Sequence, residues 1–155
     1  MSKVYENISV QELVNDFLSG YPSQVLDASH RVINLAVQNR PLIEALVPYL
    51  GGIINATSSL SYGGAILSNE RFVRRAIDII DASQTSECLC KFMFEPFGYN
   101  AESFAKAYDF LLIEPSKSEG FIRTGVVQCP VCKNKYEVTE EYTGWHTTTT
   151  TYKKL

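Results

Sequence analysis

The sequence lacks the features that would place a protein in or across a membrane. No apolar run approaches the roughly 18 residues that a transmembrane helix needs. The opening stretch MSKVYENISVQEL also has no apolar core of the kind that a signal peptide carries. We therefore expect a cytosolic protein with no membrane partner. A content of 45% hydrophobic and 20% charged residues is ordinary for a globular chain and argues against extended disorder.

An excess of positive charge is also missing. The formal net charge is −3, with 6 basic and 8 acidic residues up to position 86 and 8 basic and 9 acidic residues after it. Because basic groups supply most of the affinity for nucleic acids, this balance gives no general nucleic-acid footprint. It leaves room only for a local basic patch.

Recognisable catalytic motifs are absent as well. The sequence contains no H-E-x-x-H, no G-x-S-x-G, no P-loop and no H-x-E paired with P-C-x-x-C. The glutamates of the second half are scattered, without a pair placed for acid and base work. We therefore expect a protein that is not an enzyme, and keep an enzyme as a less favoured alternative.

Residues 1–86 carry the patterns of helices. Ser9-Val10-Gln11-Glu12 is a capping box, which marks the start of a helix. Asn39-Arg40-Pro41 marks a boundary, since proline favours the first turn of a helix. After Ser68-Asn69, apolar residues recur at helical spacing. We predict a helical, bundle-like N-terminal region.

Residues 87–155 have a different texture. The alternation in CLCKFMFE predicts a strand over Cys88–Glu95. Asn100 is placed to cap a helix from Ala101 to about Leu112, and a polar loop is expected over Pro115–Gly120. Three further strands are predicted, at Phe121–Gln128, Lys135–Glu141 and Trp145–Tyr152.

The predicted fold is therefore α+β. A helical half precedes a small antiparallel sheet with an inserted helix, and the two regions are expected to form one continuous globular unit. The run of five threonines, Thr147–Thr151, is strongly β-branched and predicts an edge strand rather than a tail.

Four cysteines fall into two close pairs, Cys88-x-Cys90 and Cys129-x-x-Cys132. Residues i and i+2 of a strand share a face, and a C-x-x-C turn also brings its two thiols together. Cys-Pro-Val-Cys followed by Lys-Asn-Lys resembles the zinc knuckles of rubredoxin-like and zinc-ribbon sites. We predict one closed Cys₄ site that holds a structural zinc ion, while iron fits the same ligands.

The neighbours of the cysteines suit such a site. Lys91, Lys133 and Lys135 lie within three residues of a cysteine and would offset the negative charge of a tetrathiolate centre. His146 is a candidate to replace a cysteine as ligand or to hydrogen-bond to a ligand. The alternatives are disulfides, which a cytosolic compartment disfavours, a redox-active C-x-x-C, and four unrelated buried thiols.

The function favoured by these patterns is a zinc-binding protein-interaction module that acts as an inhibitor, an immunity-like protein or an adaptor. Aromatic residues make up 12% of the chain, and interfaces enrich aromatic anchors. Candidate interface residues are Tyr136, Tyr142, Trp145 and Tyr152. The alternative is a nucleic-acid-binding zinc ribbon in which these aromatic side chains would stack on bases beside nearby lysines.

Overall fold

The computed structural model describes residues 7–65, 68–95, 98–145 and 147–155. These residues form six α-helices and one four-stranded antiparallel sheet, with most helices in the N-terminal part. The predicted α+β class is thereby confirmed. The chain divides into two compact units, Met1–Leu89 and Cys90–Leu155.

All described elements of the first unit are helices, and the described residues between the last two have no regular structure. Its elements are α1 (Val10–Leu18), α2 (Pro22–Leu35), α3 (Arg40–Glu44), a 3₁₀ turn (Val47–Tyr49), α4 (Leu50–Thr57) and α5 (Glu70–Ala82). Helix α2 packs against α1 and α5, and Phe17, Val32 and Ile79 are fully buried in this core. The helices thus enclose an apolar core because each presents one apolar face.

The predicted capping box at the start of α1 is confirmed. The Ser9 hydroxyl accepts a hydrogen bond from the Glu12 backbone N–H at 3.1 Å, and the Glu12 carboxylate accepts one from the Ser9 N–H at 3.0 Å. Two N–H groups that the helix leaves without an internal partner are satisfied in this way.

Arg40 ties down the segment that follows α5. Its guanidinium group donates to the carbonyl oxygens of Ser83 at 3.0 Å, Thr85, and Glu87 at 2.6 Å. Its Nε also donates to Glu44 at 2.8 Å. The planar guanidinium thus fixes the backbone immediately before Cys88, which no single-point cation such as lysine would do.

In the second unit, helix α6 (Ala101–Tyr108) precedes all four strands. They are β1 (Leu111–Glu119), β2 (Ile122–Gln128), β3 (Lys135–Gly144) and β4 (Thr147–Lys154), in the order β1-β2-β3-β4. All neighbours are antiparallel, so the β2–β3 turn lies at one end of the sheet and the other two turns lie at the opposite end. The prediction that the threonine run forms an edge strand is confirmed.

The prediction of a strand over Cys88–Glu95 was wrong. Leu89–Met93 is a 3₁₀ helix, and Leu89, Cys90 and Met93 are its buried residues. Burial at positions i, i+1 and i+4 is a helical pattern, whereas a strand with one buried face would bury alternate residues.

The first strand is β1 instead, in a region where a helix end and a loop were expected. Helix α6 ends at Tyr108, and the residue that caps it, Asp109, adopts a left-handed conformation with φ of 53°. The stretch predicted as a loop from Pro115 lies mostly within β1. Strand β1 is an edge strand with two register shifts, and such strands tolerate proline.

Two contacts hold α6 on the sheet. A Cβ atom at Gly125 would lie only 2.5 Å from the Cβ of Ala101, so only glycine allows this close approach. The carboxylate of Glu102 accepts hydrogen bonds from the backbone N–H of Ser116 at 2.6 Å and from its hydroxyl at 2.7 Å. The start of α6 is therefore fixed to both β2 and β1.

Candidate metal centre

The turn between β2 and β3 carries the second cysteine pair. Cys129 closes it with two backbone hydrogen bonds, from its own N–H to the Asn134 carbonyl at 3.0 Å and from the Lys133 N–H to its carbonyl at 3.1 Å. Lys133 has φ of 64°, a left-handed conformation, and its carbonyl accepts from the Gln128 side chain at 2.9 Å. The hairpin thus fixes the backbone around Cys129 and Cys132.

The first cysteine pair lies at the 3₁₀ helix. Cys88 directly precedes this helix and Cys90 is its second residue. The backbone before Cys88 is held by the bond from Arg40 to the Glu87 carbonyl. The strand geometry expected for this pair is absent, but Cys88 lies just outside the helix and its Sγ still lies within 4.8 Å of that of Cys90.

All four predicted cysteines come together. Their Sγ atoms lie within 4.8 Å of one another, with Cys90 and Cys129 buried and Cys88 and Cys132 partly exposed. The distance between the Sγ atoms of Cys90 and Cys132 is 3.6 Å. Around a tetrahedral ion with metal–sulfur bonds of about 2.3 Å, neighbouring sulfurs lie about 3.8 Å apart. The group therefore has the dimensions of a metal-binding shell.

Tyr136 contacts this group directly. Its hydroxyl oxygen lies 3.3 Å from the Sγ of Cys90, and its side chain is buried. Burial raises the pKa of the Tyr136 hydroxyl well above its usual value, and the neighbouring Cys90 raises it further. The hydroxyl therefore keeps its proton and can donate to a thiolate at Cys90.

The structure separates the four aromatic residues proposed for an interface. The Phe94 ring lies 4.4 Å from that of Tyr136 and 4.9 Å from that of Tyr152, between centroids, and stacks on Phe104 at 5.2 Å. Tyr136 and Tyr152 therefore contribute to the aromatic core of the second unit. Tyr142 and Trp145 are exposed.

The lysines near the cysteines have separate contacts. The Lys133 ammonium group donates to the Pro130 carbonyl at 2.5 Å, and that of Lys91 lies 5.4 Å from the centroid of the Phe92 ring. Lys135 is exposed at the start of β3. His146, proposed as a ligand or as a hydrogen-bond partner of a ligand, lies outside the described residues.

Sequence reasoning identified the four cysteines but not the role of Tyr136. Tyr136 and Val138 are two residues apart on β3, so they share the face of the strand that points into the core. This spacing places Tyr136 inside, but contact with Cys90 depends on the 3₁₀ helix, which the sequence analysis took for a strand.

Comparisons with known proteins identify no relative. No family model matches the sequence, and neither the curated proteins nor the solved structures give a significant match. Among the helices that the structure describes, none has both the length and the apolar content needed to cross a bilayer.

Proposed function

We propose that Cys88, Cys90, Cys129 and Cys132 bind one zinc ion that stabilises the fold. The observation that carries this proposal is the convergence of four Sγ atoms within 4.8 Å, from two separate stretches of the chain. In structural sites, zinc is usually bound by four protein ligands in tetrahedral geometry, and four cysteine thiolates are a common set. Iron has the same ligand requirement and would be distinguished by its absorption of visible light.

A structural role follows from the ligand set. Four thiolates complete a tetrahedral shell and leave no position for water or substrate, whereas catalytic zinc keeps one position open. The Tyr136 hydroxyl would then stabilise the thiolate of Cys90 by donating a hydrogen bond to it. The partly exposed Cys88 and Cys132 would face solvent at the edge of the site.

We further propose that the protein binds another protein through an aromatic tip at the opposite end of the sheet from the β2–β3 turn. The aromatic tip consists of Phe121, Tyr142 and Trp145. Phe121 is 75% exposed and Trp145 is 96% exposed. The Tyr142 N–H donates to the Phe121 carbonyl at 2.9 Å, and their rings lie 6.2 Å apart. Large exposed aromatic side chains on a fixed backbone are typical anchors of protein interfaces.

The backbone of the tip favours a persistent shape. Gly144, the last residue of β3, and Trp145 both have positive φ values, 89° and 52°. A turn with a defined backbone loses less backbone entropy on binding than a flexible one.

Charge favours a protein over a nucleic acid as the partner. Lys153 on β4 lies opposite Glu137 on β3, and Arg123 on β2 lies 3.9 Å from Glu140. Positive and negative side chains thus alternate across the sheet, whereas nucleic-acid surfaces concentrate basic groups.

The two parts of the proposal are tested separately. Metal analysis of the purified protein tests the proposed metal centre.

Partner binding is tested by comparing the proteins that are captured from the native host by the natural chain and by the Phe121→Ala/Trp145→Ala variant. Tyr21→Ala is the matched control because Tyr21 is an exposed aromatic residue in the first unit. Partner capture lost with the tip variant and kept with Tyr21→Ala supports the proposal. Equal capture by all three would contradict it.

A further inference from the structure

The two edges of the sheet differ in how open they are to another strand. Strand β1 contains Pro115 and two register shifts, features that block regular pairing at an edge. Strand β4 has eight residues without proline, and its one register shift lies at its start, between Tyr142 and Gly144 on β3. A long, regular edge strand is a template for pairing with a further strand.

The residues of β4 suit pairing with an identical strand. An antiparallel pair centred on Thr150 of both copies sets Thr149 opposite Thr151 of the second copy, and Thr147 opposite Lys153. Threonines directly opposite each other are favourable in sheets, and this register brings no like charges together. A parallel pair would instead set the two Lys153–Lys154 stretches side by side, which is unfavourable.

The ends of β4 are also complementary in the antiparallel arrangement. The turn that carries Trp145 precedes β4, while Lys154 and Leu155 lie at its other end. Antiparallel pairing brings that turn beside Lys154 and Leu155 of the second copy. Leu155 is 59% exposed, and its N–H donates to the Lys135 carbonyl at 2.9 Å, which holds it against β3. An exposed indole thus meets an exposed leucine and an ammonium group, both of which it binds favourably.

From these relationships we infer that two copies of this chain pair through β4, in antiparallel register about Thr150, to form one continuous eight-stranded sheet. The interface is isologous, since each copy contributes the same strand and the same turn. This inference rests on the proposed function and deepens it, because it names a second copy as the partner that covers Trp145.

Sedimentation velocity of the full chain, from low to high micromolar concentration, tests the pairing. We expect a reversible shift from monomer to dimer. Trp145 is the only tryptophan in the chain, so its fluorescence should move to shorter wavelength over the same concentration range as it leaves water. Sedimentation as a monomer at every concentration would overturn the inference.

Charged variants test the register. In Thr149→Lys/Thr151→Lys, every added lysine faces a lysine of the second copy, so this variant should be monomeric. Thr149 and Thr151 are exposed and lie opposite Glu141 and Thr139 on β3, so lysine at these sites fits the monomer. An equimolar mixture of this lysine variant with Thr151→Glu should form a heterodimer, because the added glutamate faces an added lysine of the second copy and Thr151 lies opposite Thr139 on β3. Dimers of the lysine variant as tight as the natural ones would contradict pairing through β4.

The outcomes separate this inference from the proposed function. A monomeric protein that contains zinc and captures a different protein through Trp145 would overturn only the pairing. If the purified protein contains no zinc, the proposed centre is contradicted. If that metal-free protein still forms the dimer, the pairing is retained.

Discussion

The hydroxyl of Tyr136 lies 3.3 Å from the Sγ of Cys90 and so contacts the cysteine group directly. The contact joins the second strand of a hairpin to a 3₁₀ helix 46 residues earlier in the chain. It therefore links the cysteine group to the aromatic core, because the Tyr136 ring also packs on Phe94.

Replacement of Tyr136 by phenylalanine should weaken metal binding without unfolding the protein. The ring still fills its place beside Phe94, but the hydrogen bond to the Cys90 thiolate is lost. Groups that hydrogen-bond to metal ligands typically contribute about tenfold or more to metal affinity, so we expect about a tenfold loss. Competition with a chromogenic chelator measures it.

The control for this change is Tyr142→Phe, which removes a hydroxyl from an exposed tyrosine on the same strand. Its metal affinity should equal that of the natural protein. Equal affinities for all three proteins would show that the Tyr136 hydroxyl does not support the centre.

Replacement of Cys129 by serine should remove the metal and lower the melting temperature sharply. Cys129 is fully buried, and loss of one ligand costs the binding free energy that the folded state gains from the ion. Thermal unfolding with and without chelator measures the effect. Chelator should lower the melting temperature of the natural protein and leave that of the variant unchanged; a natural protein insensitive to chelator would contradict a structural ion.

The extent to which the sequence predicted this structure depended on how local each signal was. The capping box at Ser9 and the turn at Cys129–Cys132 are set by neighbouring residues, and both were recognised. Leu89–Met93 alternates like a strand in its residue types, but its burial follows a helix because tertiary packing decides which residues face inward.

Strand β1 is the converse case, a strand whose local sequence predicted a loop. Its sequence, LLIEPSKSE, contains proline and five charged or serine positions that resemble a loop. It becomes a strand because β2 pairs with it and because Glu102 binds both the N–H and the hydroxyl of Ser116. Neither contact is visible in the local sequence.

Replacement of Gly125 by alanine should destabilise the second unit. The added Cβ would lie 2.5 Å from the Ala101 Cβ and 2.9 Å from the Glu114 carbonyl oxygen. Overpacking of this kind typically costs about 1–3 kcal/mol in the free energy of unfolding, measured by denaturant titration.

Two further variants check the cause. Gly51→Ala, in α4, has no atom within 4 Å of the added Cβ and should be neutral or slightly stabilising. Adding Ala101→Gly to Gly125→Ala should restore part of the loss, since it removes one of the two close contacts. Full stability of Gly125→Ala alone would contradict the packing of α6 on β2.

Replacement of Glu102 by glutamine should destabilise the protein in a pH-dependent way. Burial alone would raise the pKa of the Glu102 carboxyl, but the hydrogen bonds from Ser116 outweigh it and the pKa is lowered. A carboxyl with a lowered folded-state pKa stabilises the protein above its unfolded-state pKa, and this contribution is lost as pH falls through the folded-state value.

We therefore expect the free energy of unfolding of Glu102→Gln to be about 1 kcal/mol lower than that of the natural protein at neutral pH. This value takes into account that solvent screens the partly exposed Glu102 carboxylate. The difference should shrink as pH falls below about 4. Urea titrations across this range, with Glu119→Gln as the control on exposed β1, measure it. A difference independent of pH would show that the charge of Glu102 is not involved.

Elemental analysis of the natural protein, purified without added metal, tests the Cys₄ zinc site most directly. We expect one zinc ion per chain, and its loss in the Cys129→Ser variant. A natural protein that contains no zinc and takes up none when zinc is supplied under reducing conditions would contradict the zinc site.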